Sequence, residues 1–522
     1  MRRQARQPVT PTTPSTVPDR SDPSTQADQP LSPVAWIPLA VAAGLTGTVL
    51  LAFSGRYGYH RDELYYLVAG RHLAWGYDDQ PPLLPALARL TDSLSGGSLT
   101  ALRLPTAVVV GVTVLLVGLL TRELGGGRWA QLLAAVGWAT TGVAMVSGHL
   151  LSTTPYDVLC WTTTAWLLAR WVRTRDDRML LALGPVLGVG LLAKSLPLLF
   201  VAALAIAVLI SGPREILRRP ALWIAAGIAV ALWAPNLWWQ ATHGWPQLTM
   251  TGVIRADADF GGRLGLLPSQ VLIMGPPLAV IWIAGLWRLL RNPDARRYRF
   301  LGWAYLVVLA LTLLTGGREY YPAGAYPVLF ASGAIATIGW LSRGARGRRA
   351  ALGVGLVLNG LSTVTIALPI YPVRTLPHTP QAMINYDAGE TVGWPELVST
   401  VARVHRSLPA SEQATAVILT RNYGQAGAID RYGRPLGLPT PYSGHLNFWR
   451  WGPPADSATG PVIVIGRWPA EELSRLCGTV VQVASNDNGY GVENEEQGAP
   501  IWLCRDLDRP WSQVWPELRR FG

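Results

Sequence analysis

Long apolar runs dominate the first 370 residues of the chain and predict a bundle of membrane-spanning helices. The first run, 34–53, is long enough to cross a bilayer, and it lacks the short apolar core and cleavage site of a signal peptide. We expect about eleven spans in all; near Lys194 the alternative is one long bent helix in place of two short runs. The ten further runs lie at 103–121, 129–148, 152–172, 179–193, 195–211, 221–239, 268–290, 300–316, 322–341 and 350–370.

The two ends of the chain have a different pattern. Residues 1–33 are rich in Pro, Ser, Thr and Gln and bury too little apolar surface to fold, so we expect a disordered N-terminus. Short apolar runs at 416–419 and 461–465, bounded by turn residues, are typical of buried strands. Helices are expected at 395–408 and 469–476. The sequence therefore predicts an α-helical polytopic membrane domain, 34–371, followed by a small α/β domain, 372–522.

Composition agrees with a membrane protein. Half of the residues are hydrophobic and only 15% are charged, whereas soluble proteins carry about a quarter charged residues. The mean hydropathy is positive and the chain has 23 Trp. The net charge of +12 comes mostly from arginine, which in a membrane protein collects in cytoplasmic loops. A nucleic-acid partner is therefore not expected.

The arginines orient the bundle. With the N-terminus in the cytoplasm, almost every basic residue of the membrane domain falls in an inner loop, and the main outer exceptions are Lys194 and Arg318. We expect a multi-pass protein of the plasma membrane, with the first outer loop (54–102) and the C-terminal domain outside the cytoplasm. The inner loops are those around 122–128, 170–178, 214–219, 288–299 and 343–349.

The first outer loop combines acids with aromatic residues. Asp62 and Glu63 are followed by Tyr65, Tyr66 and Trp75. Solvated loop acids beside an interfacial aromatic belt would give the same pattern. The functional interpretation is a sugar site, because aromatic faces stack on sugar rings and a carboxylate can remove the proton of an acceptor hydroxyl.

Three other charged residues are expected on the outer side. Asp157 starts a predicted span, where it either caps the helix or forms a second acid of the site. Lys194 is the only lysine, and it either snorkels at the interface or binds an anion. Arg318 either pairs with Glu319 or joins Lys194 in holding a phosphate.

The sequence contains weaker indications of a metal site or of covalent catalysis than of a sugar site. No Gly-rich phosphate loop, nucleophile elbow or zinc motif is present. Because the C-terminal domain is expected in an oxidising compartment, we expect Cys477 and Cys504 to form a disulfide, and Cys160 to be buried in a span. Histidines and acids of the first outer loop permit a divalent ion without implying one, so no cofactor is predicted; these residues are His60, Asp62, His72, Asp78 and Asp79.

Several motifs resemble those of the GT-C glycosyltransferases. The relevant group is the family 39 type, which includes the lipid A aminoarabinose transferases and the protein O-mannosyltransferases. The C-terminal motifs resemble those of an actinobacterial-type branch. One departure is Asp79-Gln80-Pro81-Pro82, where the family often has Asp-His-Pro-Pro. The matching motifs are Asp62-Glu63-x-Tyr65-Tyr66, Arg71-His72-Leu73-Ala74-Trp75-Gly76-Tyr77, Pro81-Pro82-Leu83, Arg318-x-Tyr320-Tyr321, Ala325-Tyr326-Pro327, the stretch 422–430, Ser443-Gly444-His445 and Trp449-Arg450-Trp451-Gly452.

The resemblance implies an inverting transfer from a polyprenyl-phosphate sugar on the outer face of the membrane. By motif position Asp62 would be the catalytic base, Glu63 its partner and Asp157 the second acid. The donor phosphate would be bound by Lys194 and Arg318, with Tyr320 and Tyr321. The sugar or the acceptor would contact Tyr65, Tyr66, His72, Trp75 and Asp79.

The sequence thus predicts a GT-C-type membrane glycosyltransferase whose acceptor is a hydroxyl, or an amine, of a protein or a cell-envelope glycan or lipid. One alternative is a transporter or flippase of a lipid-linked or small polar substrate. That function predicts ionisable residues within the spans and paired repeats, and the sequence has neither pattern. A second alternative is a non-catalytic scaffold of the cell envelope.

Overall fold

The computed structural model describes residues 31–256, 262–344 and 346–522, so the predicted disordered segment lies almost wholly outside the described residues. Within these ranges, six helices are long and apolar enough to cross a membrane, or up to eight segments if each of two bent pairs forms one span. The prediction that residues 34–371 are mostly helical is confirmed for the described residues. The six helices are Trp36–Phe53, Leu99–Glu123, Pro220–Thr242, Pro293–Thr315, Tyr321–Ser342 and Arg346–Ala367.

Two of the predicted spans, 129–148 and 268–290, are broken rather than straight. The first breaks because Thr141 accepts a hydrogen bond from the Ala144 N–H and so starts a new helix. The second breaks at Gly275, whose φ of 95° lies outside the helical region. The pairs are Arg128–Ala139 with Gly142–Gly148, at 55°, and Arg263–Met274 with Pro276–Arg291, at 93°.

Three further helices complete the set of predicted spans. Thr153–Thr174 has 22 residues, whereas Arg178–Ala193 and Pro197–Ser211 are shorter apolar helices. Lys194 has an extended backbone between the last two, so the chain forms two helices there and not one long bent helix. The eleven apolar runs of the sequence all become helical, but not all of them meet the length and hydropathy of a straight span.

The first outer loop contains the helices Arg61–Arg71, called the loop helix below, and Leu83–Ser95. The loop helix is buried along most of its length, which is unusual for a polar segment between two spans. A second connection at the same end of the bundle contains the helix Pro246–Ala256. The two connections are in contact, because Gln247 Nε2 donates to the Tyr77 carbonyl oxygen at 3.4 Å.

The C-terminal region, 372–522, contains a five-stranded sheet; the sequence predicts an α/β fold and two of the five strands, and the α/β class is confirmed. The strands are β1 (Val417–Thr420), β2 (Pro441–Ser443), β3 (Val462–Ile465), β4 (Cys477–Ser485) and β5 (Pro500–Leu507). The strand order is β2-β1-β3-β5-β4, with β1 parallel to β2 and β3, and β5 antiparallel to β3 and β4. Cys477 on β4 and Cys504 on β5 are joined by a disulfide.

Short helices surround this sheet. The helices at Trp394–Ser407 and Ala470–Leu476 match the sequence prediction within one residue. Tyr423–Tyr432, called the tail helix below, follows β1 and packs on the loop helix. The other short helices of the region are Pro380–Ile384, Tyr386–Gly389, Ala410–Gln413, Asn447–Arg450 and Trp511–Val514.

Two glycines allow the tail helix to approach the loop helix closely. A Cβ at Gly427 would lie 2.8 Å from the Leu64 Cβ and 3.1 Å from the Leu64 carbonyl carbon, and a Cβ at Gly424 would lie 2.8 Å from the Arg61 Cβ. Contacts this short are not tolerated, so the spacing of these glycines determines how near the C-terminal region comes to the loop helix.

Replacing Gly427 with alanine tests this contact. The added methyl group meets the Leu64 backbone, which cannot rotate away, and overpacking of this kind costs roughly 1–3 kcal/mol. We expect Gly427→Ala to lower the melting temperature of the purified protein. Gly353→Ala is the matched control, because its Cβ would meet nothing within 4 Å and alanine favours the helix. Equal melting of the two variants would contradict the contact.

Candidate active site

The loop helix begins with a capping box that orients both of its acids. His60 Nδ1 accepts a hydrogen bond from the Asp62 N–H at 3.2 Å, and Glu63 Oε2 accepts one from the His60 N–H at 2.8 Å. Asp62 and Glu63 occupy the first turn, where negative charge offsets the helix dipole. Although the two acids are adjacent in sequence, they have different surroundings.

Glu63 is fully buried in a two-point ion pair with Arg103. Its Oε1 accepts from Arg103 Nε at 2.8 Å and from the Leu151 N–H at 2.9 Å, while Oε2 accepts from Arg103 Nη2 at 2.7 Å. Arg103 also donates to the carbonyl oxygens of Ser54, at 2.6 Å, and Gly58, at 2.8 Å. Each oxygen of Glu63 thus accepts two hydrogen bonds, so the geometry gives this residue a positioning role and not the catalytic contact expected from the sequence.

Asp62 is the acid that remains accessible. Its side chain is 39% exposed. The Tyr423 hydroxyl of the tail helix donates to Asp62 Oδ1 at 2.6 Å, and Oδ2 lies 3.9 Å from His60 Nδ1, which is beyond hydrogen-bond distance. Burial and the charge of Asp62 raise the pKa of Tyr423 well above its usual value, so this hydroxyl stays protonated and remains a donor. One oxygen of Asp62 is therefore fixed, and the other accepts no hydrogen bond from the described residues.

Asp79 is a second acid near Asp62. The Tyr65 hydroxyl donates to Asp79 Oδ1 at 2.8 Å. Burial raises the pKa of Asp79 to about 7; the Tyr65 hydrogen bond opposes this rise, and the charges of Asp62 and Asp78 add to it. Asp62 and Asp79 also both raise the pKa of Tyr66, after burial. The loop thus presents Asp79, whose pKa is raised, together with Asp62 and two tyrosines.

Lys194 lies against two aromatic rings. Its Nζ is 4.9 Å from the ring centroid of Tyr320 and 5.6 Å from that of Tyr321, and it donates to Thr154 Oγ1 at 3.5 Å. Burial lowers the pKa of Lys194, and the charge of Asp157 opposes that fall. A buried ammonium beside neutral rings is stabilised by an incoming anion.

Asp157 does not cap its helix. The helix Thr153–Thr174 has no acid in its first turn, and Asp157 is buried with Oδ1 accepting from Trp161 Nε1 at 2.8 Å. The charge of Asp157 opposes the fall in the pKa of Lys194. The structure therefore favours the interpretation of Asp157 as part of the polar site over helix capping.

The tyrosine pair links the two halves of the site. The rings of Tyr320 and Tyr321 are 5.3 Å apart. Burial raises the pKa of Tyr320, Asp62 adds to that rise and Arg318 opposes it. Asp62 and Arg318 are thus both within electrostatic range of Tyr320, although they are far apart in sequence.

The C-terminal region also holds the end of the first outer loop. Asn447 Oδ1 accepts from the Asp78 N–H at 2.7 Å and from the Tyr65 hydroxyl at 3.3 Å. Arg450 Nε donates to the buried Asp78 at 2.5 Å, and Arg519 lies 3.6 Å from its other oxygen. These contacts fix the segment that carries Asp79.

Two predicted sugar-binding residues lie at the edge of this cluster. His72 stacks on Trp451 with the ring centroids 4.6 Å apart, and Trp451 is 6.2 Å from Tyr65. Trp75 is exposed, and its backbone carbonyl accepts from Asn236 Nδ2 at 2.8 Å. The structure thus brings His72 near Tyr65 through Trp451, but it does not bring the Trp75 indole to Asp62.

Sequence reasoning missed the residues that support the acids. Arg103 is a single arginine at the start of a predicted span, and a charge in that position is a signal of a buried partner. Tyr423 lies in the stretch 422–430, which resembles a motif of the glycosyltransferases. No sequence pattern near Tyr423 indicates that it contacts Asp62, 361 residues away. In the described part of the chain, no group of three His, Cys, Asp or Glu side chains is arranged to hold a metal ion.

The sequence is similar to those of known glycosyltransferases. Residues 79–239 match the family described as Dolichyl-phosphate-mannose-protein mannosyltransferase. Over 438 residues the chain is 27% identical to the lipid A galacturonosyltransferase RgtD of Rhizobium johnstonii. The matched region covers 79% of this chain and 87% of RgtD. These matches support the resemblance that the motifs predict.

Comparison of folds gives the same class. The fold is similar to that of ArnT from Cupriavidus metallidurans bound to undecaprenyl phosphate, with a TM-score of 0.55 and 16% identity over 90% of this chain and 98% of that one. It is also similar to the arabinofuranosyltransferase AftD from Mycobacteria, with a TM-score of 0.51 and 14% identity; the match covers 92% of this chain and 41% of AftD. The predicted GT-C resemblance is confirmed.

The ion pair of Glu63 generates a prediction about stability. Glu63→Gln leaves the Arg103 guanidinium buried with no charged partner at this position, and breaking a buried pair in this way costs about 3–5 kcal/mol. We expect a large fall in the melting temperature of the purified protein. Asp62→Asn is the control, because its side chain is partly exposed and carries no ion pair of this kind. A Glu63→Gln variant as stable as wild type would contradict the positioning role.

Proposed function

We propose that this chain is a GT-C glycosyltransferase that transfers a sugar from a polyprenyl-phosphate donor to an acceptor hydroxyl, or an amine, with inversion at the anomeric carbon. The donor class is supported by ArnT, whose structure holds undecaprenyl phosphate. The acceptor class, a cell-envelope lipid or glycan or a protein, is supported by RgtD, which is a lipid A galacturonosyltransferase.

The observation that carries the proposal is the state of Asp62. It is an exposed carboxylate with one oxygen held by Tyr423 and the other free of hydrogen bonds to the described residues. In the proposed step Oδ2 accepts the proton of the acceptor hydroxyl, and the acceptor oxygen forms a bond to the anomeric carbon. The bond from that carbon to the phosphate oxygen breaks, and the electron pair leaves with the polyprenyl phosphate. A direct displacement of this kind inverts the anomeric carbon.

The leaving phosphate needs positive charge and hydrogen-bond donors. We assign these roles to Lys194 and Arg318, with the hydroxyls of Tyr320 and Tyr321. Burial keeps the Tyr320 hydroxyl protonated and able to donate. Since the phosphate departs as an anion, preorganised charge of this kind lowers the barrier without a proton transfer to the leaving group.

The distribution of arginine indicates how the bundle is oriented in the membrane. We propose that the end of the bundle carrying Asp62 faces the outside of the plasma membrane and that the N-terminus is cytoplasmic, because the arginine-rich loops all lie at the other end. The C-terminal region, 372–522, would then be an extracytoplasmic domain. The membrane domain, 34–371, would hold the prenyl chain of the donor between its helices.

Asp62→Asn tests the base directly. The amide has the same shape but cannot accept the acceptor proton, and general-base catalysis contributes roughly 10²–10⁴-fold. We expect transfer from a polyprenyl-phosphate sugar to fall by that factor, measured as release of polyprenyl phosphate. Asp92→Asn is the matched control, because Asp92 lies in the same outer loop and pairs only with Arg431, at 3.6 Å. Activity of the Asp62→Asn variant near that of the control would remove Asp62 from the mechanism.

Tyr423→Phe tests the contribution of the C-terminal region to the base. The variant loses one hydrogen bond to a carboxylate, which is worth about 1.5–3 kcal/mol, or roughly 10- to 100-fold. We expect kcat to fall while KM for the donor is unchanged, because Tyr423 touches Asp62 and not the donor phosphate. Tyr432→Phe, in the same helix, is the control. Equal rates for both variants would mean that Tyr423 has no part in positioning Asp62.

A further inference from the structure

The end of the bundle opposite the active site is assembled around a buried carboxylate. Glu123 is 1% exposed and accepts hydrogen bonds from Arg170, at 3.3 Å, and Arg173, at 2.7 Å. The Tyr298 hydroxyl donates to the Glu123 carbonyl at 2.9 Å, and Arg288 donates to the Leu124 carbonyl at 3.4 Å. Four helix ends therefore meet at one membrane surface.

Arginine is in large excess at this surface. The connections there contain eighteen arginines and five acids, within 122–128, 170–178, 214–219, 288–299 and 343–349. Several of the acids are already paired: Glu123 as described, Glu215 with Arg175, and Asp177 with Arg219 at 3.7 Å. Internal ion pairs therefore neutralise only a small part of the positive charge.

Three of the arginines lie over exposed tryptophans. The guanidinium carbon is 5.1 Å from the ring centroid in the pair Arg128–Trp129, 5.6 Å in Arg291–Trp287 and 4.6 Å in Arg348–Trp340. The three tryptophans are 61%, 67% and 50% exposed, respectively. Among the described residues, no carboxylate forms an ion pair with Arg128, Arg291 or Arg348.

This arrangement is confined to the arginine-rich end. At the active-site end, the exposed tryptophans are Trp75, Trp238 and Trp245. None of them has a guanidinium stacked on it within the described part of the chain; Arg450 lies over the neighbouring Trp239 instead, at 5.4 Å. The stacked pairs are therefore not a general property of exposed tryptophans in this protein.

The pairs have the chemistry of a phospholipid headgroup site. An exposed indole on a membrane-spanning bundle lies at the depth of the headgroups. A guanidinium stacked on that indole is held at the same depth, and its N–H edge can bind a phosphate through two hydrogen bonds. Each pair therefore offers an apolar face to the acyl region and a fixed cation to the phosphate.

We propose that this surface binds anionic phospholipids, with the three stacked pairs as headgroup sites. The excess of arginine attracts anionic lipid over zwitterionic lipid of the same size, and the attraction weakens as ionic strength rises. Since the pairs are at the end opposite Asp62, bound lipid does not compete with the donor. The surface holds the bundle at a defined depth and so keeps the active site level with the opposite membrane surface.

Native mass spectrometry of the full-length protein tests the proposal. The protein is titrated with phosphatidylglycerol or with phosphatidylcholine of the same acyl chains, with no polyprenyl phosphate present. We expect tighter binding of phosphatidylglycerol by wild type. In the variant Arg128→Gln/Arg291→Gln/Arg348→Gln this preference should fall by about fivefold for each arginine replaced, since each basic residue near the surface contributes about 1 kcal/mol.

The control replaces three exposed arginines of the C-terminal region, in the variant Arg403→Gln/Arg434→Gln/Arg475→Gln. It removes the same charge from the chain but leaves the stacked pairs intact, so its lipid preference should equal that of wild type. Equal binding of the two lipids by wild type would overturn the proposal without any variant. Equal losses in the two triple variants would also overturn it, because net charge would then explain the preference.

Discussion

The buried ion pair between Glu63 and Arg103 is the constraint on which the site depends. It joins the first turn of the loop helix to the helix Leu99–Glu123, to the carbonyl oxygens of Ser54 and Gly58 and, through the Leu151 N–H, to the next connection at that surface. A fully buried charged pair tolerates little displacement, because each lost hydrogen bond leaves a charge uncompensated in the protein interior. Asp62, one residue before Glu63, is therefore held in place although its own side chain is open.

The site is built from three parts of the chain that are distant in sequence. The loop helix supplies Asp62, the span ends supply Lys194 and the tyrosine pair, and the tail helix supplies the hydroxyl of Tyr423. Close packing at Gly427 sets the distance between the tail helix and the loop helix. The C-terminal region is thus part of the proposed site, since it contacts the proposed base, Asp62, and fixes one of its two oxygens.

The sequence predicted most of the fold, because apolar runs and short buried strands are local patterns. It did not predict the breaks at Thr141 and Gly275, where single residues interrupt otherwise continuous apolar runs. The arginine pattern alone predicts that Asp62, Asp157 and Lys194 lie at one surface. It gave no means of separating Asp62 from Glu63, since their difference lies in partners that are far away in sequence: Arg103 for one and Tyr423 for the other.

The proposed donor of this protein is a polyprenyl-phosphate sugar. The most direct measurement is to incubate the purified protein with a panel of polyprenyl-phosphate sugars and a cell-envelope acceptor fraction, and to follow the release of polyprenyl phosphate together with the anomeric configuration of the product. We expect release from at least one donor, dependent on the acceptor, with the configuration inverted. Transfer with retention, or release from nucleotide sugars and from none of the lipid-linked donors, would contradict the account.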